Sequence, residues 1–267
     1  MPFTLAHPAA VLPLRRIWPM STVPLVIGAM MPDVPYFLPW RLSKHIPELT
    51  HTFVGTFTLD LPIGLVVLLV TWLLRAPLAA PLWSGAEAKC FCAMERFGNR
   101  PGNWMLAPLS ILIGAWTHVI WDSFTHADGW VVSRISALSA PVTVFSYTGE
   151  LCHVLQYASS VFGLAVLAIW FALLPVPLEE PRRSERSAGG PLLLVVLFAA
   201  AAAAGALETV EHIATVERFV GGSPSRYQVF FLLLTRGMAS FALLYTAAGV
   251  VILRGRRRAA AASVTQM

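Results

Sequence analysis

The stretch Met105–His126, MLAPLSILIGAWTHVIWDSFTH, decides the fold of this 267-residue chain. Residues 105–125 hold a single formal charge, Asp122, in a run as long as the roughly 20 residues an α-helix needs to cross a hydrocarbon core about 30 Å thick. Four comparable runs, 55–74, 154–174, 191–211 and 228–253, flank it on both sides. The composition agrees, being 57% hydrophobic and 12% charged, where a soluble domain is about half apolar and about a quarter charged. A soluble enzyme is thereby excluded, and the expected fold is an all-α polytopic membrane helix bundle.

Span number turns on the N-terminal region. The apolar stretch Met20–Met31 is 12 residues long before Pro32-Asp33 interrupts it, which suits a short re-entrant or interfacial helix. Extended from Ile17 to Leu38 it would be a sixth span. Arg15 and Arg16 favour a cytoplasmic N-terminus with six spans, whereas a re-entrant first segment leaves the N-terminus outside with five, and charge alone leaves both open. The opening residues lack a basic region ahead of an apolar one, so a cleaved signal peptide is not expected.

The net charge of +5 is placed for a bilayer, not for nucleic acid. Eleven basic residues fall in alternate segments: Arg75, Lys89, Arg96 and Arg100; then Arg182, Arg183 and Arg186; then Arg254, Arg256, Arg257 and Arg258. The intervening segments hold five, Arg41, Lys44, Arg134, Arg218 and Arg226. The positive-inside rule then puts the C-terminus in the cytoplasm. Composition shifts divide the chain into a membrane domain at 1–174, a Pro-, Gly- and charge-rich cytoplasmic linker at 175–190, a helix pair at 191–254 and a basic tail at 255–267. The Ala199–Ala204 run reads as a small-residue packing face, and Trp40, Trp104, Trp130 and Trp170 read as interfacial anchors. Cys90, Cys92 and Cys152 are too few and too scattered for a disulfide framework.

Within the deciding stretch, His118, Asp122 and His126 stand at i, i+4 and i+8, positions that drift only about 40° per step around a helix. Ionisable groups inside a span are costly and mark functional sites by default. Further donors fall at the same expected membrane face: His7 in LAHPAAV, Asp33 in MMPDVPYF and His51 in LTHTFVG. Imidazole and carboxylate donors suit a divalent metal, zinc first among them, and a bound ion supports hydrolysis without a nucleophilic side chain. Each of Thr50-His51, Thr117-His118 and Thr125-His126 sets a hydroxyl beside a proposed ligand. A further polar set comprises Glu150 and His153, three residues apart, with Asp60, Glu208, Glu211, His212 and Arg236. Arg236 lies deep enough in its span to need a carboxylate, with Glu208, Asp60 and Asp122 as candidates. That second set keeps a proton- or ion-coupled transporter in view, although neither repeat symmetry nor paired broken helices is present. A structural or sensory membrane protein, its polar residues tying helices together, is the other alternative.

MPFTLAHPAAVLPL, MPDVPYF, THTFVGT, HVIWDSFTH and the Gln156-Tyr157-Ala158-Ser159-Ser160 stretch resemble a bacterial membrane-protein family catalogued as domain of unknown function 4184, through most of the chain. More distantly, the order His, Pro-Asp, Thr-His, HxxxD resembles the inner-membrane metal-dependent hydrolase family and, beyond it, zinc-dependent phospholipase C and related nucleases. The distant resemblance implies His7, Asp33, His51, His118 and Asp122 as metal ligands, with Asp122 bridging between ions and His126 a looser match. It implies hydrolysis of a lipid or phosphoester at the extracytoplasmic face of the bacterial cytoplasmic membrane. Those soluble enzymes place an acidic residue four positions after a later His, whereas here His153 is followed at that spacing by Tyr157, so a third ion site is not matched.

Overall fold

Pro8, Pro32 and Pro35 each remove a backbone donor, and the N-terminal stretch accordingly folds as short pieces instead of one long helix. In a computed structural model the residues described are 4–14, 21–37, 45–145, 147–177, 190–219 and 225–265. A 3₁₀ segment, Thr4–Val11, precedes helix α1, Thr22–Gly28, and a second 3₁₀ segment, Met31–Phe37, which carries Asp33. Residues 22–37 are thus two short pieces, while both ends of the Ile17–Leu38 stretch lie outside the described residues. Arg15, Arg16, Trp40, Arg41, Lys44 and the linker arginines Arg182, Arg183 and Arg186 lie outside them too.

Helix α2, His45–Thr50, leads into α3, Phe53–Leu73. Thr52 caps α3, its hydroxyl accepting from the Gly55 amide at 3.0 Å. A π-turn at Thr56–Asp60 interrupts α3 and leaves both end residues fully buried. Two helices, α4 at Arg75–Ala79 and α5 at Ser84–Gly98, occupy the segment between the first two spans that reads as a loop in sequence. The reason is visible in α5, where Ala86, Met94 and Phe97 form a buried stripe.

Helix α6, Pro101–Thr125, starts with proline in its first turn, where no amide partner is lost. An antiparallel hairpin, β1 Pro141–Val144 with β2 Tyr147–Glu150, precedes α7, Leu151–Leu173. Helices α8, Gly190–Phe219, and α9, Arg226–Thr265, complete the chain. Among the described residues five helices are long and apolar enough to span a bilayer, namely α3, α6 and α7 with the segments 190–215 and 228–262 of α8 and α9. The chain is an all-α polytopic bundle.

Two compact units emerge. The first comprises 1–35, 43–70 and 96–174; the second comprises 36–42, 71–95 and 175–267. In the second, Leu197, Ala201, Gly205 and Thr209 make a buried stripe at four-residue spacing on α8. A Cβ on Gly205 would come within 2.5 Å of the Gly237 backbone nitrogen of α9, so the two helices touch backbone to backbone. Close approach through small residues is how helices associate where lipid removes the hydrophobic drive. Arg236 pairs with Glu208 at 3.2 Å, which settles its carboxylate among the sequence candidates. Arg256 makes a two-point pair with Glu87 at 2.6 and 3.2 Å.

In the first unit, Val11, Leu25 and Ala29 form the packed centre. Helix α1 lies on α6 at backbone contact: a Cβ on Gly114 would stand 2.3 Å from the Leu25 carbonyl and 2.6 Å from the Ala29 nitrogen. The buried face of α6 runs Ala107, Ile111, Ala115, His118, Asp122. One stripe therefore both packs the helix and delivers two ionisable groups to the interior.

Candidate metal centre

His118 and Asp122 come one turn apart from α6, Asp33 from the 3₁₀ segment after α1, and His51 from the junction of α2 and α3. Their side chains converge. His118 Nε2 lies 3.3 Å from Asp122 Oδ2 and 3.7 Å from Asp33 Oδ1. His51 Nε2 lies 3.4 Å from Asp33 Oδ1 and 3.5 Å from Asp122 Oδ2. Tetrahedral ligands at zinc–nitrogen and zinc–oxygen bond lengths of about 2.0–2.1 Å sit roughly 3.3–3.4 Å apart, close to these separations, and the donor atoms of His51, His118 and Asp122 all lie within 4.8 Å of one another.

Hydrogen bonding supports the same reading. Asp33 Oδ1, His118 Nε2 and Asp122 Oδ2 are buried and make no hydrogen bond among the described residues, an expensive condition for polar atoms. The opposite atom of each group is held. His118 Nδ1 donates to the Ala29 carbonyl at 2.8 Å, and His51 Nδ1 to the Pro47 carbonyl at 2.8 Å. The Thr4 hydroxyl donates to Asp33 Oδ2 at 2.6 Å, and His7 Nε2 to Asp122 Oδ1 at 3.0 Å. Carbonyl partners at Nδ1 leave Nε2 of both imidazoles as the donor atom for a metal, the arrangement that outer-shell partners impose in metal sites. The His/Asp groups are thus positioned to hold a metal ion.

His7 sits beside these four and is fully buried. Its ring stacks on His118 at 3.6 Å between centroids and 11° between planes. A second grouping, His7 with Asp33 and His118, also brings donor atoms within 4.8 Å of one another, and His7 Nδ1 is buried without a partner among the described residues. His126 departs from the sequence geometry. The α6 helix ends at Thr125 and His126 is extended, so the i+8 projection does not continue. Its Nδ1 lies 3.7 Å from Asp122 Oδ1 and its Nε2 lies 3.4 Å from the Gln156 amide nitrogen, at the rim of the centre.

Electrostatics distinguish the groups outside the spans. Burial opposes charge on His51, but the Asp122 and Asp33 carboxylates, 3.5 and 3.4 Å from its Nε2, raise its pKa to about 10. Burial pushes the Asp33 carboxyl up, yet the neighbouring His118 and His51 outweigh it and leave the group below its ordinary value. His126 is lowered, chiefly by burial.

Among the remaining sequence candidates, Asp60 is fully buried with both carboxylate oxygens unpartnered among the described residues, and the ionisable groups acting on it there are His51, His118 and Asp33. Glu150 and His153 gather with Cys152 at the start of α7 in a separate group whose ligand atoms lie within 4.8 Å of one another. Glu208, Glu211, His212 and Arg236 lie in the second unit. Of the three Thr-His hydroxyls, Thr117 and Thr125 bond carbonyls of their own helix. Thr50 bonds the Pro47 carbonyl of its own helix at 3.0 Å and also reaches the Pro32 carbonyl at 2.8 Å, tying the His51 segment to the turn that carries Asp33. Thr4 carries no sequence signal beyond a hydroxyl three positions before His7.

A family model described as Domain of unknown function (DUF4184) matches residues 1–251. No curated protein and no solved structure matches the chain.

Proposed function

We propose, on the premise that the chain belongs to the DUF4184 family, that it is a membrane-embedded zinc protein acting as a metal-dependent hydrolase on a lipid or phosphoester. The observation that carries this reading is the convergence of three orphaned buried atoms, Asp33 Oδ1, His118 Nε2 and Asp122 Oδ2, with His51 Nε2. Two carboxylates with neutral imidazoles balance a dication, and charge balance matters most where the surroundings are apolar. A divalent ion held there supplies Lewis acidity toward a carbonyl or phosphoryl oxygen.

The chain's own residues do the rest. Thr4, His7, Ala29 and Pro47 fix the orientation of the ligands. His126, with a quarter of its side chain exposed, stands where it can pass a proton between water and the centre. Gln156 holds the far side of that ring. By the distribution of arginines, the centre faces the extracytoplasmic side of a bacterial cytoplasmic membrane, with the C-terminus inside.

Elemental analysis of the purified protein tests the reading. About one divalent ion per chain is expected, lost from the His118→Ala, Asp122→Ala double variant while the helices stay inserted. His126→Ala should keep the ion and lose turnover. Wild-type protein without metal overturns the proposal. Structural ions take shells made wholly of protein ligands, and the number of His and Asp donors gathered here favours the alternative of a non-enzymatic structural or sensory membrane protein. Full metal content with no hydrolysis of any phospholipid or phosphoester would select it.

A further inference from the structure

We propose that the groove between α6 and α7 seats one acyl chain of a bilayer lipid and so makes the substrate of the adjacent centre a membrane lipid. The inference rests on the hydrolase reading for its catalytic half only. The groove is open along the lipid-facing side, offers about 490 Å³ and is walled by Ala10, Ile120, Trp121, Phe124, Leu155 and Ala158, a volume within the roughly 300–1,000 Å³ of small-molecule sites.

The chemistry of the lining selects the occupant. Its few polar groups are already engaged: Thr117 donates to the Gly114 carbonyl at 2.7 Å, Thr125 to the Trp121 carbonyl at 3.3 Å, and Ser159 to the Gln156 carbonyl at 3.2 Å. The Trp121 indole N–H is satisfied by the Ser159 hydroxyl at 3.1 Å. A polar ligand would surrender its hydration there and gain nothing in return. A hydrocarbon chain surrenders nothing.

The groove is also continuous with the surface that meets lipid. Ile120, Phe124 and Leu155 are 59%, 44% and 38% exposed on helices that span the bilayer, so a chain enters sideways without crossing water. Its inner wall leads to the centre. Trp121 adjoins the ligand Asp122, and its ring meets the His7 imidazole edge-on at 5.8 Å. A lipid whose tail lies against Trp121 carries its headgroup linkage toward the His/Asp cluster.

The test uses the full chain in phosphatidylcholine vesicles doped with phosphatidylcholine bearing a mid-chain diazirine. After irradiation, adducts mapped by mass spectrometry should concentrate at residues 117–125 and 155–159, above those at Val161 and Phe162, which are 70% and 67% exposed on the same α7 helix. Ala158→Phe, and independently Leu155→Trp, should cut groove labelling by roughly tenfold or more by filling the space. Metal content and labelling at Val161 should not change in either variant, which reports that the fold is intact. Uniform labelling along both helices, or labelling indifferent to both substitutions, overturns the proposal. So does oxidative disulfide cross-linking of Leu155→Cys, in a chain with Cys90, Cys92 and Cys152 replaced by Ala, to a second copy of the chain in place of lipid adducts. Groove labelling that persists in the metal-free His118→Ala, Asp122→Ala variant supports the lipid seat on its own, whatever the outcome for hydrolysis.

Discussion

Of the four groups that converge at the centre, His51 is the one with a side toward solvent, 23% exposed where Asp33, His118 and Asp122 are almost completely buried. With its pKa raised to about 10, it holds a proton in the metal-free protein at neutral pH. Ligation requires the neutral imidazole, so an arriving ion must displace that proton. Metal affinity should therefore weaken as pH falls below about 10, by up to about tenfold per unit from His51 alone. Calorimetric titration in buffers of different ionisation enthalpy checks this, and at least one proton released per ion is expected at about pH 7–8. Release of none would contradict the placement of His51 in the shell. His7, Asp33, His51, His118 and Asp122 were legible in sequence because each is a polar residue in an apolar setting. The Ala29 and Pro47 carbonyls were not, since every residue carries a carbonyl and only the fold selects which one faces an imidazole.

Gly114 governs the neighbouring elements. Backbone contact between α1 and α6 at this glycine brings the Ala29 carbonyl within 2.8 Å of His118 Nδ1. Gly114→Val should push α1 away, costing about 1–3 kcal/mol of stability by overpacking. Release of His118 should weaken metal binding by about 10–100-fold, the usual effect of losing an outer-shell partner. A competition assay with a fluorescent chelator reads the affinity, and an unchanged value would detach His118 orientation from helix contact. The spans were legible from length and apolarity alone, with starts and ends differing from the structure by a few residues in α3, α6 and α7. Residues 75–104 were not, because α5 mixes charge with a narrow buried stripe and reads as polar. The β1–β2 hairpin escaped for a related reason, its four-residue strands being too short for alternation to stand out.

At the scale of the whole molecule, the parity of the spans gives a topology that can be measured. If the arginine distribution sets orientation, Ser133→Cys should react with an impermeant maleimide on intact cells, and Ala259→Cys only after the membrane is opened. Both residues are exposed, and Cys90, Cys92 and Cys152 are replaced by Ala in each variant so that one thiol reports. The reverse pattern would place the metal centre on the cytoplasmic side.

The centre is also assembled from distant parts of the chain, with His7 and Asp122 separated by 115 positions. At translation rates of about 5–20 residues per second, His7 leaves the ribosome roughly 6–23 s before the carboxylate it will bond. During biogenesis the Asp33 and His51 segments must wait, unpaired, until α6 is delivered by the insertion machinery. If the centre takes the proposed ion, metal loading is a late event in the life of the nascent polypeptide, and chains truncated before residue 118 should reach the membrane without acquiring one.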